Sequence, residues 1–237
     1  MAKTVTLLVP TLNEIVGMQT IMPRVNREWV DQILIVDGNS EDGTADYARA
    51  QGYEVVMQSR KGIRFAYNDA FPHVRGDIVV TFSPDGNSLP ELIPQLIAKV
   101  RDEGADLVIA SRYALGATSD DDDWLTGFGN WMFTRLINRL HGGHYTDAMV
   151  IFRAYPRQLF YDLDLDKDDA YAMEKLFFTV MGIEPLLSVR AAKRKLKCVD
   201  VPGSEPLRVG GVRKLQTFRW GAAYMVQVWR ELYYWWK

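Results

Sequence analysis

The stretch from Thr4 to Gln58, TVTLLVPTLNEIVGMQTIMPRVNREWVDQILIVDGNSEDGTADYARAQGYEVVMQ, alternates two periods. Short, largely apolar runs at Thr4–Val9, Gln32–Asp37 and Glu54–Gln58 read as strands, and Ile15–Val25 and Thr44–Gln51 read as helices. The rhythm continues, with strands predicted at Ile78–Phe82 and Leu107–Ser111 and helices at Gly62–Phe71 and Leu89–Glu103. A β-α series joined by right-handed crossovers gives an α/β fold with a mostly parallel sheet flanked by helices. Ligands in such sheets sit beyond the carboxyl ends of the strands. Those ends carry Pro10-Thr11-Leu12-Asn13-Glu14, Asp37-Gly38-Asn39-Ser40, Ser83-Pro84-Asp85-Gly86-Asn87 and Ser111-Arg112-Tyr113, so a site built from loops at one edge is predicted.

After Tyr113 the rhythm changes. A loop with four aspartates, Asp120 to Asp123, reads as solvated. A helix is predicted near Gly127–Leu140, a strand near Met149–Ala154, a helix near Tyr171–Met181, a strand at Leu196–Val201 and a long final helix at Leu215–Trp236. His141-Gly142-Gly143-His144 lacks further ligands at zinc spacing and reads as a helix end and turn. With no internal repeat or Pro/Gly/Ser linker, residues 1–213 read as one catalytic domain, 1–113 on the donor side and 114–213 on the acceptor side, followed by an amphipathic helix over 214–237.

The 237 residues are 48% hydrophobic and 24% charged, an ordinary globular balance that excludes disorder and low complexity. Cys198 is the single cysteine and no signal-peptide core precedes the first strand, so a reducing, cytoplasmic setting is expected. The net charge of −2 conceals a block from Arg190 to Arg219 in which nine basic residues face Asp200 and Glu205. Such a block reads either as a surface for an anionic partner or as a solvated face.

At the loops named above the chain resembles the family 2 glycosyltransferases of the GT-A (Rossmann-like) fold, most closely the dolichol-phosphate mannose synthase branch. VPTLNE (Val9 to Glu14) looks like the family's opening motif, and VDGNSEDGT (Val36 to Thr44) like its VDDGSxDGT with Gly38 at the second Asp. SRKGIRFAYNDAF, GDIVVTFSPDGNSLPE, ASRY, TDAMVIFRAYPR and EPLRVGGVRKL follow in the family's order. The resemblance implies an inverting enzyme that moves a hexose, such as mannose or glucose, from a GDP- or UDP-linked sugar to a polyprenyl or dolichyl phosphate, with Mg²⁺ or Mn²⁺. A lipid phosphate acceptor, not nucleic acid, is thus the expected partner.

The residue chemistry agrees with that implication. A departing diphosphate gains negative charge, which a divalent metal or several cations must offset, and Mg²⁺ and Mn²⁺ prefer oxygen ligands. Asp85 is the expected metal carboxylate; the family's D-x-D partner falls on Ser83 in one register and on Asn87 in the other, and Asp85 alone could simply close an Asx-turn. The resemblance places Pro10, Thr11, Glu14 and Asp37 at the base and ribose, although Asp37 could equally be a turn residue. Lys61 is expected at the nucleotide or its phosphates. Arg112 follows a buried strand, and Arg208, Arg213 and Lys214 flank Gly210 and Gly211 as a basic flap over diphosphate would require.

A hydroxyl acceptor needs a base, for which Asp147 leads and Glu174 follows, whereas a phosphate is already an anion. Alternative readings are a soluble transferase with a hydroxyl acceptor and a non-catalytic nucleotide-sugar-binding protein. In the last helix Leu215, Phe218, Ala222, Met225, Trp229, Leu232 and Trp236 form one apolar stripe, and Trp220, Tyr224, Val228 and Trp235 a second. The second face is expected to meet a membrane surface, a homodimer partner or the body of the protein.

Overall fold

Along β1 (Val5–Thr11), Leu8 enters one core while Val5, Leu7 and Val9 enter another, and the same alternation runs through β2 (Gln32–Asp37) and β4 (Ile78–Thr81). Both faces are covered, which is why these strands read as continuous apolar runs. The computed structural model describes residues 3–210 and 217–235. Seven strands among them make one sheet in the order β3-β2-β1-β4-β6-β5-β7, with β3 at Glu54–Met57, β5 at Leu107–Ser111, β6 at Arg153–Pro156 and β7 at Cys198–Pro202. All neighbours are parallel except β6, which runs antiparallel between β4 and β5. The carboxyl ends of the six parallel strands therefore share one edge.

The helices are α1 (Ile15–Thr20), α2 (Thr44–Ala50), α3 (Ile63–Ala70), α4 (Ile93–Arg101), α5 (Trp124–His141), α6 (Gln158–Asp162), α7 (Met173–Phe177), α8 (Glu184–Lys193) and α9 (Thr217–Tyr234). Asp123 caps α5 by accepting from Thr126 N, and Gly142, in the left-handed region at φ 77°, ends it. The mostly parallel, helix-flanked sheet matches the sequence expectation, with three local differences. The helix expected over 171–181 stops at Phe178, which adopts φ 49°, and α8 follows in its place. Nine consecutive residues of α8, Glu184 to Ala192, are buried, so it presents no amphipathic period. β6 starts later than expected because Met149 and Val150 spend their N–H groups on the Asp147 carboxylate.

α9 packs into the same core as α3, α5 and α8 through Ala223, Tyr224, Val228 and Trp235. That assigns the Trp220–Tyr224–Val228–Trp235 face to the protein's own body; the other stripe turns outward at Ala222 and Trp229, while Leu215 and Trp236 lie outside the described residues. The inner face also holds Glu231, fully buried in a 3.0 Å ion pair with the equally buried Arg190. A pattern reading counts both as surface residues, and here they satisfy each other inside.

The basic block is consequently dispersed. Arg190 and Lys193 tie α8 to α9, Lys193 through the carbonyls of Glu231 and Trp235, and Lys197 donates to the Glu103 carbonyl. Arg208 faces Asp85, and Arg213 and Lys214 lie outside the described residues.

One helix is set directly against the loop that follows β4. A Cβ at Gly17 of α1 would lie 2.2 Å from the Pro84 carbonyl oxygen, so only glycine allows this approach. Gly17→Ala is expected to cost about 1–3 kcal/mol and to disturb the Asp85 turn. Urea denaturation together with nucleotide titration checks both effects.

Candidate active site

The loops at the shared edge are stitched to one another. Asp37, fully buried, accepts from Thr11 Oγ1 at 2.9 Å, Ser40 N at 2.7 Å and Ser40 Oγ at 2.7 Å. Both carboxylate oxygens thus join the β2 turn to β1, and the expected contact with base or ribose would be made from this fixed turn. Thr11 and Glu14 are buried in the same junction, where Glu14 N donates to Thr44 Oγ1, and Pro10 is half-buried beside them. Lys61 is exposed just ahead of α3, and Ser83 is half-buried after β4.

Asp85 sits on the turn beyond β4, nearly buried. Asn87 N donates to its Oδ1 at 3.1 Å, the Asx-turn, and Gly86 supplies the left-handed residue at φ 94°. Its other oxygen meets Arg208 Nη1 at 2.9 Å, and Val209 N donates to its backbone carbonyl, also at 2.9 Å. Arg208 reaches Asp121 at 3.8 Å, and Asn87 Nδ2 donates to Asp121 at 3.0 Å. Two of the four aspartates expected to be solvated therefore face inward, Asp121 toward Arg208 and Asp122 toward Arg112 at 3.6 Å.

Arg112, leaving β5, is held by Asp147, with Nε at 2.7 Å and Nη2 at 3.2 Å from its two oxygens. Asp147 has no exposed surface and also accepts from Asn130 Nδ2 and from the N–H groups of Met149 and Val150. Burial alone would raise the Asp147 carboxyl, but the Arg112 charge and these hydrogen bonds outweigh it and hold the group below its ordinary value. In this arrangement Asp147 anchors Arg112. Glu174 clamps the buried Arg64 at 3.0 and 2.6 Å, a partner not foreseen.

Glu205 completes the group. It lies 3.5 Å from Arg112 Nη1, accepts from Ser119 Oγ, and its backbone pairs with the 118–120 segment, so the loop after β7 is sewn to the loop after β5. Among the described residues the cluster brings together five carboxylates (Asp85, Asp121, Asp122, Asp147, Glu205) and two guanidiniums (Arg112, Arg208). Sequence reasoning found Asp85, Arg112, Asp147 and Arg208 here and missed Asp121, Asp122 and Glu205. The density of carboxylates close behind Arg112 was the available signal for the first two; Glu205, a lone acid in a basic stretch, offered none.

No three His, Cys, Asp or Glu side chains among the described residues form a ready cage, and the Arg208 guanidinium pairs with Asp85. The donors around it are nevertheless hard oxygens: Asp85, Asp121 and Asn87 Oδ1, a buried atom with no hydrogen-bond partner among the described residues. Burial pushes the Glu205 carboxyl up, with Arg112 and Ser119 offsetting part of the effect. An acid raised in the folded state costs stability when ionised and regains it as pH falls through the raised value. Glu205→Gln should therefore melt a few degrees above the wild type at pH 7 to 8, with the gap closing toward the ordinary Glu pKa of 4.5. Thermal melts across that range test it.

Comparison with known proteins places this geometry. Glycosyltransferase AglJ of Haloferax volcanii is 29% identical over 231 residues, covering 91% of this chain and 71% of the relative. Glucosyl-3-phosphoglycerate synthase from Mycobacterium tuberculosis, solved in complex with Mn²⁺, uridine diphosphate and phosphoglyceric acid, superposes at a TM-score of 0.69 with 23% identity over 97% of this chain and 78% of that one. Mannosyl-3-phosphoglycerate synthase from Rubrobacter xylanophilus gives 0.64 at 23% identity over 97% and 74%. At these identities the two structures establish the GT-A fold. The model for glycosyl transferase family 2 matches residues 6–164, two-thirds of the chain with all but the first residue of β1 and the whole of β2 to β6, and the chain belongs to that family of glycosyltransferases.

Proposed function

We propose that the protein transfers a hexose, mannose or glucose, from a GDP- or UDP-linked sugar to a polyprenyl or dolichyl phosphate with inversion at the anomeric carbon. The observation that carries the choice of acceptor is the state of the two candidate bases. Asp147 is locked against Arg112 and Glu174 against the buried Arg64, which favours a nucleophile that arrives already ionised over a hydroxyl that must be deprotonated.

Asp85, Asn87 Oδ1 and Asp121 are the residues to hold Mg²⁺ or Mn²⁺, whose chemistry when bound is to offset the charge gathering on the departing diphosphate. Arg208 gives up Asp85 as the donor enters and turns to the diphosphate, while Arg112, kept rigid by Asp147, faces the same charge or the acceptor phosphate. Lys61, Arg213 and Lys214 are proposed to add further positive charge around the nucleotide. Pro10, Thr11 and Glu14 shape the base side, with Asp37 holding their loop and Ser83 lining the approach to Asp85. The structural neighbours carry Mn²⁺ or Mg²⁺ with uridine diphosphate, which supports a divalent metal and makes UDP-sugars the first donors to try.

A second reading has one observation in its favour. One of these neighbours also carries phosphoglyceric acid, so a water-soluble phosphorylated hydroxyl compound is the rival acceptor. Purified protein is supplied with radiolabelled UDP-glucose or GDP-mannose and Mn²⁺, with short-chain polyprenyl phosphate and phosphoglycerate offered separately. Label entering the organic phase with the first acceptor alone is the expected result. Transfer to phosphoglycerate alone would replace the lipid reading with its rival.

A further inference from the structure

The first half of α5 stacks aromatic rings on the outside of the molecule. Trp124 is 82% exposed, Phe128 48% and Trp131 53%. Their rings follow one another with centroids 5.9 and 5.7 Å apart, and the Arg135 guanidinium lies 4.9 Å over Trp131. Steps of four, three and four put these side chains on one side of the helix, with Leu125 exposed beside them, while Phe133, Thr134, Ile137 and His141 bury the other. An exposed stack of this size does nothing for the core of its own chain and marks a contact surface.

Its composition indicates which contact. From Trp124 to His141 there is no Asp or Glu, and Arg135 and Arg139 stand exposed on the half of the helix beyond the rings. Tryptophan rings settle at the boundary between acyl chains and headgroups, and arginines on the same helix bind lipid phosphates. An anionic bilayer answers both the rings and the two guanidiniums, the exposed cap Asp123 standing at the opposite end of the helix from Arg135 and Arg139. Among the described residues no helix is long and apolar enough to cross a membrane, so the contact would be made from one side. α5 also starts at the mouth of the charged cluster, since its cap Asp123 directly follows Asp121 and Asp122.

We infer that α5 is a membrane-docking element, with Trp124, Phe128 and Trp131 seated in the headgroup layer of an anionic bilayer and Arg135 and Arg139 on its phosphates. This goes beyond the transfer reaction, and a binding assay without donor or acceptor tests it separately.

The full chain is floated with vesicles of phosphatidylcholine alone and of phosphatidylcholine mixed with phosphatidylglycerol. Binding to the anionic vesicles is expected, reduced at least tenfold in Trp124→Ser/Phe128→Ser/Trp131→Ser. Arg135→Gln/Arg139→Gln, which leaves the apolar ridge untouched, is expected to lower it on the order of tenfold at low salt. Circular dichroism and nucleotide titration verify that each variant is folded. If the ridge variant did not fold, the arginine pair and quenching of wild-type tryptophan fluorescence by brominated lipid carry the test. The inference is overturned if the wild type ignores anionic vesicles, if both variants bind undiminished, or if Trp229→Ser/Tyr233→Ser on α9 abolishes binding while the ridge variant does not. It is equally overturned if light scattering shows a dimer that the ridge variant dissolves and the wild type binds no vesicle.

Discussion

Asp85→Ala is expected to abolish metal-dependent binding of the donor nucleotide and to lower turnover by about 10²–10³-fold. Calorimetric titration with UDP and GDP, with and without Mn²⁺, checks the first effect and initial rates the second. The size follows from the position of the carboxylate. Asp85 is nearly buried on a turn fixed by Asn87 N and by the close approach of α1 at Gly17, so no neighbour can slide into its place. It also holds Arg208 at 2.9 Å, so its loss removes both the proposed anchor for a cation and the partner of the arginine proposed to meet the diphosphate.

The effect on folding should be small by comparison, because Arg208 keeps Asp121 within 3.8 Å. Arg208→Ala separates the two functions. With the guanidinium gone from Asp85, Mn²⁺ alone should bind more tightly, while nucleotide binds more weakly. An Asp85→Ala protein that still bound nucleotide in a Mn²⁺-dependent way would move the metal to Asp121 and Glu205 and remove Asp85 from the mechanism.

What could be read in the sequence was whatever depends on local pattern. Strands buried on both faces are legible as apolar runs, and β2 and β5 fall where their residues predict them. Loops at strand ends are legible through their Gly, Asp and Asn, which is how Asp85 and Arg112 were found. The remainder depends on partners distant in sequence. Arg190 lies 41 residues from Glu231, and Arg64 lies 110 from Glu174; each charge looks solvated until its counterpart is known. For the same reason the pattern of α9 leaves its second face open to a membrane, a partner or the body, of which the structure shows the body, and α8, enclosed on all sides, carries no period at all. Asp147 and Glu174 were recognised as important carboxylates, but their roles as anchors depend on burial, which composition does not reveal.

Asp147→Ala is expected to destabilise the protein by about 3–5 kcal/mol, the usual cost of stranding one member of a buried ion pair. The Arg112 guanidinium would retain Glu205 at 3.5 Å and Asp122 at 3.6 Å, both longer contacts than the 2.7 Å bond it loses. Asp147→Asn, able to keep part of the hydrogen bonding to Arg112, should cost less. Burial raises the Asp147 carboxyl, but Arg112 together with the Met149 and Asn130 hydrogen bonds lowers it further, leaving the folded value below 3.8. A depressed carboxyl contributes stability that is complete above its unfolded pKa and is lost as pH falls through the folded one. The stability gap between wild type and Asp147→Asn should therefore stay level from pH 5 to pH 8 and close only below about pH 4, as urea melts at each pH would show. An anchor and a base also differ in kinetics. Loss of an anchor loosens Arg112, raising KM for donor or acceptor and lowering kcat without moving the acidic limb of the pH–rate profile. Loss of a base removes that limb and leaves the melt unchanged. An Asp147→Asn enzyme with wild-type stability and no acidic limb would return Asp147 to the chemistry, and with it a hydroxyl acceptor.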